Sequence, residues 1–273
     1  MFRLTACGLL RSSGSVGAAP GSVICRALRR AAATAPPSGS RGTPNHSHTH
    51  SQQEKIPTSG DVCGFSALGL RRPLLEGLAA QGLEEPTLVQ SSVIPRLLSG
   101  ENLVLSASTG TGKTLAYTLP VIHSLLEQEE RGYKRQHQRP RCLVLVPTRE
   151  LATQVLDEVK RLSHFAKVSS CGILGGEAYN IQKKALSGKV DVVVASPGRL
   201  VQHEKLKNLN LGEISHVVID EVDTMLTQGF GADIRYFEFS RMFNLLRIFS
   251  IIFTKWFVHI CLGMYCRRFS KRS

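Results

Sequence analysis

The sequence predicts an α/β fold: a doubly wound parallel sheet flanked by helices. Three observations predict it. Short Val-rich runs recur at 102–107, 142–147, 167–174, 191–196 and 216–220. They are continuously apolar instead of alternating, as strands buried on both faces require. Helical patterns fall between them, at about 113–127, 149–163, 178–187 and 198–206, and this alternation of β and α implies parallel strands with helical crossovers. Finally, the residues with evident chemistry follow the runs directly, at strand carboxyl ends, where such sheets gather ligands.

The chain of 273 residues carries a formal charge of +13, but its distribution matters more than its sum. Residues 1–53 hold six Arg and no acid, residues 239–273 hold seven Lys or Arg and no acid, and the stretch between them sums to zero. A nucleic-acid surface on the folded part must therefore be a local patch of named residues. Residues 1–53 are expected to be a disordered mitochondrial presequence and linker. A basic, Ser- and Ala-rich, acid-free segment suits import across an inside-negative membrane, and Arg11 interrupts the apolar stretch that a secretory signal would need. Matrix localisation is the expectation, with nucleus or cytoplasm as the alternative. His46, His48 and His50 in the linker read as solvated, and the seven Cys, with no Cys-x-x-Cys pair, read as free thiols. The basic loop 131–141 reads as solvated, with an auxiliary RNA contact as its alternative.

The first chemical element is Ala107-Ser108-Thr109-Gly110-Thr111-Gly112-Lys113-Thr114, between a strand and a helix. This is a Walker A loop. Its glycines let successive N–H groups face phosphate oxygens, and the helix that opens there adds its positive end. Lys113 would reach the β- and γ-phosphates, and the Thr114 hydroxyl would ligate Mg²⁺. The second element is Val218-Ile219-Asp220-Glu221-Val222-Asp223 at the end of another strand. Asp220 would hold Mg²⁺, and Glu221 could accept a proton from the attacking water. Together the two elements make a nucleotide hydrolysis site with Lys113, Asp220 and Glu221 as its catalytic candidates.

Further stretches choose among P-loop families. GLEEPTLVQ (82–90) resembles the Q motif of DEAD-box RNA helicases, PTRELATQ (147–154) resembles their motif Ia, Gly175-Gly176 their GG element, and SPGR (196–199) their T-P-G-R motif. The resemblance covers about residues 65–235 and implies a RecA-like ATP-binding lobe over 54–235. It implies ATP with Mg²⁺ as cofactors and RNA, gripped by its backbone, as partner. Carried over by position, Gln90 would read the adenine edge and Phe65, 25 residues upstream, would stack on adenine. Thr148, Arg149, Gly175, Gly176, Pro197, Gly198 and Arg199 would touch RNA. Partners among mitochondrial ribosomal or RNA-processing proteins follow by analogy.

The sequence also departs from that pattern. Motif II carries Val222 in place of Ala, Leu83 replaces the Q motif's usual aromatic, and Ser108 replaces a Gln. Residues 236–273 are expected to be an irregular, non-homologous tail. Arg247 and Lys255 interrupt it, so no membrane span is expected. IFSIIF (248–253) resembles the Ser-Ala-Thr strand only faintly, although Ser250 lies 30 residues after Asp220. Since that strand normally lies between the Walker A and Walker B strands, its loss is expected to open the centre of the sheet. The family's second lobe, whose arginine fingers raise the rate roughly 10³–10⁵-fold, has no counterpart here. This chain is therefore expected to be a truncated isoform or fragment, poorly active alone. The alternatives are an inactive RNA- or partner-binding product and a different P-loop machine.

Overall fold

The computed structural model describes residues 64–234 in full, together with the backbone strands Ile24–Leu28 and Ile248–Phe253. Apart from those two strands, the expected presequence and linker and the expected tail lie outside the described residues.

One seven-stranded sheet organises the chain. Its strands are β1 (Ile24–Leu28), β2 (Asn102–Ser106), β3 (Cys142–Leu145), β4 (Ser170–Ile173), β5 (Val192–Ala195), β6 (His216–Ile219) and β7 (Ile248–Phe253). They lie in the order β1-β2-β7-β6-β3-β5-β4. All neighbours are parallel except β1, which pairs antiparallel with β2. The helices are α1 (Arg72–Ala79), α2 (Leu88–Leu98), α3 (Lys113–Glu130), α4 (Arg149–Ala166), α5 (Tyr179–Leu186), α6 (Pro197–Lys205) and α7 (Val222–Thr227).

The Val-rich runs are apolar throughout because alternate residues serve two cores. Leu103, Leu105, Cys142, Val144, Val192, Val194 and Val218 pack on the face covered by α1 to α4. Their neighbours Val104, Leu143, Leu145, Val193, Ala195, Val217 and Ile219 pack on the other face, with Leu200 of α6 and Met225 of α7. A polar residue at any of these positions would be buried whichever way it pointed.

The expectation of an irregular tail and an open sheet centre is corrected here. β7 lies parallel between β2 and β6, with Ser250 opposite both Leu103 and Val218. IFSIIF is an apolar, β-branched run of strand length, and the gap between two hydrogen-bonding strands accepts it. Likewise Ile24–Leu28, inside the segment expected to be disordered, forms the sheet edge against β2. Among the described residues, no helix is long and apolar enough to cross a membrane.

Strand ends stay level at the carboxyl edge. The Asp220 amide donates to the Leu145 carbonyl (2.9 Å), Val146 to Ala195 (3.0 Å) and Ser196 to Ile173 (3.0 Å). Each loop that follows a strand therefore starts from the same side.

Candidate active site

Along that edge the chemistry divides between two neighbouring halves. The first follows β2 and β6. After Ser106 the chain turns through Ala107, which is buried, and the exposed Ser108, Thr109 and Gly110, then enters α3 at Lys113. Gly110 and Gly112 adopt φ of +78° and +80°, a region costly for residues with a side chain. Gly112 is required twice over, because a side chain there would collide with the Gln90 amide.

Thr87 and Gln90 brace this loop from α2. They form a capping box at the start of that helix, with the Thr87 amide donating to Gln90 Oε1 at 2.9 Å. The spare groups reach across: Thr87 Oγ1 donates to the Thr111 carbonyl (2.9 Å) and Gln90 Nε2 to the Gly112 carbonyl (3.2 Å). Within the loop, Thr111 Oγ1 donates to the Ser108 carbonyl at 2.8 Å. Lys113 is buried and donates to the carbonyls of Ala107 (2.7 Å) and Ser108 (2.9 Å), so the loop curls around its ammonium. Burial lowers its pKa, opposed by the charges of Asp220, Glu221 and Asp223.

Asp220 sits just past β6, 2% exposed. The Tyr117 hydroxyl, one helical turn after Lys113, donates to its Oδ2 at 3.1 Å. Oδ1 is buried with no hydrogen-bond partner. Burial pushes this carboxyl up to about 6, against the pull of Tyr117 and Lys113. Burial and Asp220 together raise the Tyr117 pKa well above its usual value, which keeps that hydroxyl a donor. A buried carboxylate oxygen lacking a donor fits a divalent cation, and Thr114 lies close enough to the same Tyr117 hydroxyl to pull its pKa down. The residues present therefore fit Mg²⁺. Glu221 follows at the start of α7 with φ +51° and ψ +48°, a left-handed conformation that costs a non-glycine residue about 1 kcal/mol. Phe65 is placed differently from what stacking on adenine expects: its ring packs beside α2 in the core, 4% exposed.

The second half follows β3, β5 and β4. Thr148 caps α4, its hydroxyl accepting from the Leu151 amide at 3.2 Å. The exposed Arg149 guanidinium covers Gly176, whose φ of +78° and lack of a side chain permit the approach. The Gly175 amide donates to Ser196 Oγ at 3.3 Å, joining the GG turn to the S-P-G-R segment. Pro197 begins α6, Gly198 faces the Asp233 carboxylate, and Arg199 Nη2 donates to the Glu177 carbonyl at 3.0 Å. All seven predicted RNA contacts thus converge on one stretch of the edge, and the nucleotide candidates, Phe65 apart, converge on the adjoining one.

The sequence reading missed Thr87 and Tyr117. Both carried a signal: Thr-x-x-Gln before an apolar run is a helix start, and the spacing of four from Lys113 puts Tyr117 on the same helix face.

A glycine-rich loop curled on a lysine, beside a buried aspartate at a parallel strand's end, defines a P-loop α/β domain. The DEAD/DEAH box helicase family matches residues 87–249, and the chain belongs to that family. The match runs past Arg235 into the segment expected to be unrelated. Similar proteins include DEAD-box ATP-dependent RNA helicase 39 of Arabidopsis thaliana, 38% identical over 74% of this chain and 32% of that protein. ATP-dependent RNA helicase SrmB of Escherichia coli is 40% identical over 64% of this chain and 38% of its own length. A DEAD box protein of the hyperthermophile Methanococcus jannaschii superposes with a TM-score of 0.61 at 30% identity, over 74% of this chain and 52% of that one. The chain thus spans only about a third of these curated relatives.

Proposed function

We propose that this chain is the ATP- and RNA-binding lobe of an ATP-dependent RNA helicase. One observation carries the reading. Lys113, Tyr117 and Asp220 form a buried charged cluster with one unbonded carboxylate oxygen, and a groove of glycines and arginines adjoins it on the same sheet edge. A triphosphate would take over the Lys113 ammonium from the loop carbonyls and meet the amides that Gly110 and Gly112 expose. A divalent cation on Thr114 and Asp220, when bound, would neutralise charge on the phosphates. Glu221, beside Asp220, would take a proton from the attacking water. Arg149, Arg199 and the backbone around Gly175–Gly176 suit sugar-phosphate contacts that ignore base identity.

The described residues would meet a triphosphate from the carboxyl edge of this one sheet. On its own, the chain would bind nucleotide weakly and turn it over slowly. The second reading, a non-enzymatic product that binds RNA or a partner, is favoured by the buried Phe65 ring, which leaves adenine little aromatic surface. Calorimetry of residues 1–273 with Mg²⁺-ATP separates the two. Heat that disappears in Lys113→Ala supports the enzyme lobe, no heat from native protein sinks it, and equal heat with GTP points to a different P-loop machine.

Residence in the mitochondrial matrix, with partners in ribosome assembly or transcript processing, completes the proposal. It is supported by the acid-free segment of six Arg over residues 1–53. Fusion of those residues to a fluorescent protein should send it to mitochondria; a nuclear or diffuse signal would overturn that part.

A further inference from the structure

Behind the groove lies a buried polar cluster that the nucleotide and RNA contacts do not use. The Tyr179 and His203 rings stack at 4.3 Å with 8° between their planes. The Tyr179 hydroxyl accepts from the Asn208 amide, which lies 3.3 Å from His203 Nδ1. His203 Nε2 lies 3.2 Å from Gln182 Oε1. Gln182 Nε2 in turn donates to the Leu174 carbonyl (2.7 Å) and to Glu177 Oε2 (2.9 Å). Leu174 and Glu177 are the residues on either side of Gly175–Gly176. The guanidinium of Arg199 lies over the Tyr179 ring at 5.8 Å and bonds Glu177 O and Gln202 Oε1.

We propose that Tyr179 is the positioning residue that aims Arg199 into the groove, with His203 and Asn208 holding its ring for that task. The inference rests on reading this half of the edge as the RNA groove. An arginine has five N–H donors and a long flexible stem, and freezing that stem before RNA arrives removes a cost of binding. Two of the five are spent on Glu177 and Gln202, which leaves three for a phosphate. The aromatic face fixes the plane of the fork. The ring itself cannot swing, because His203 stacks against it and Asn208 holds its hydroxyl. Asn208 is 7% exposed and follows Lys207, whose φ of +55° turns the chain back toward α5. Burial and the charge of Arg199 lower the His203 pKa, so the imidazole is neutral and does not repel the guanidinium.

The test uses the 1–273 chain, a fluorescent oligouridylate and a salt series. Arg199→Ala should weaken RNA binding about tenfold and flatten the log–log salt slope by about 0.7. Tyr179→Leu should do the same without touching phosphate, and the double variant should be no worse than either single one. Tyr179→Phe, which keeps the aromatic face, should stay within about threefold of wild type. Nucleotide affinity should be unchanged in all, which distinguishes lost aim from lost fold. If Tyr179→Leu does not fold, Tyr179→Met, which likewise removes the aromatic face, takes its place. Tyr179→Leu binding like wild type while Arg199→Ala is weak overturns the inference and leaves the groove reading standing. Additive losses overturn it too. An Arg199→Ala variant with wild-type affinity overturns the groove reading and the inference with it.

Discussion

The two ends of this sheet treat buried charge in opposite ways. At the amino end Arg141, 1% exposed, spends its guanidinium on Asp191 Oδ1 (2.6 and 3.1 Å), Glu129 (2.6 Å) and the Leu125 carbonyl (2.9 Å). Tyr133 lies under it at 5.0 Å. Asp191 is as fully used, taking Arg135 (3.1 Å) and the Ser169 amide (2.9 Å) on its other oxygen. At the carboxyl end Asp220 is equally buried, yet one of its oxygens has no partner and the next residue is held left-handed. Two buried carboxylates, one before β5 and one after β6 with β3 between those strands, thus differ in satisfaction, not in burial. The satisfied one fastens the fold. The unsatisfied one holds the oxygen that the proposed divalent cation would take.

The largest way to break this comparison is to remove Arg141. Arg141→Met leaves Asp191 buried without its main partner, and losing one member of a buried pair costs about 3–5 kcal/mol. Urea denaturation should show that loss, while the molecules still folded keep nucleotide affinity, because the lesion is at the far end. Arg141→Met with Asp191→Leu should recover at least half of it. A single variant as stable as wild type would show that the amino-end network fastens nothing.

His216 gives the next effect. It begins β6 beside Arg141, and burial, with that guanidinium's charge adding, lowers its pKa to about 4. The ordinary value is 6.5, so below it the unfolded chain takes up a proton that the folded chain refuses. Stability is therefore full above about pH 6.5 and falls as pH drops toward 4. The whole swing is about 3.5 kcal/mol, for the drop from 6.5 to about 4 at about 1.4 kcal/mol per pH unit. Melting temperature against pH measures it. His216→Gln should flatten that window, and an undiminished slope in the variant would assign the acid loss to other groups.

The same contrast explains what could be read from sequence. Val-rich runs of strand length show themselves because both faces of the sheet are covered, so five strands, β2 to β6, and the helical crossovers between them were legible. The phosphate loop and Asp220 were legible because their chemistry is local, within eight and two residues of chain. The Arg141–Asp191 pair was not, since it spans 50 residues. The basic loop 131–141 is largely solvated, as it read in the sequence, but the pairing of Arg131, Arg135, Arg139 and Arg141 with acids was not legible there. β7 was obscured by the Phe, Arg and Lys around it, because strand identity there is decided by the gap between β2 and β6. The Tyr179 cluster was illegible too, because it joins α5, α6 and Asn208 through side chains alone.

The smallest effect sharpens the carboxyl side. Glu221→Gly and Glu221→Ala both delete the carboxylate, so both should abolish the ATP hydrolysis proposed above. Only glycine tolerates φ of +51° without strain. The glycine variant should therefore be the more stable by about 1 kcal/mol, less whatever its extra freedom in the unfolded chain takes back. Equal stability would mean that the left-handed turn at motif II stores nothing. A clear gain for glycine would mean that the chain accepts a strained backbone after β6 to keep a carboxylate in place.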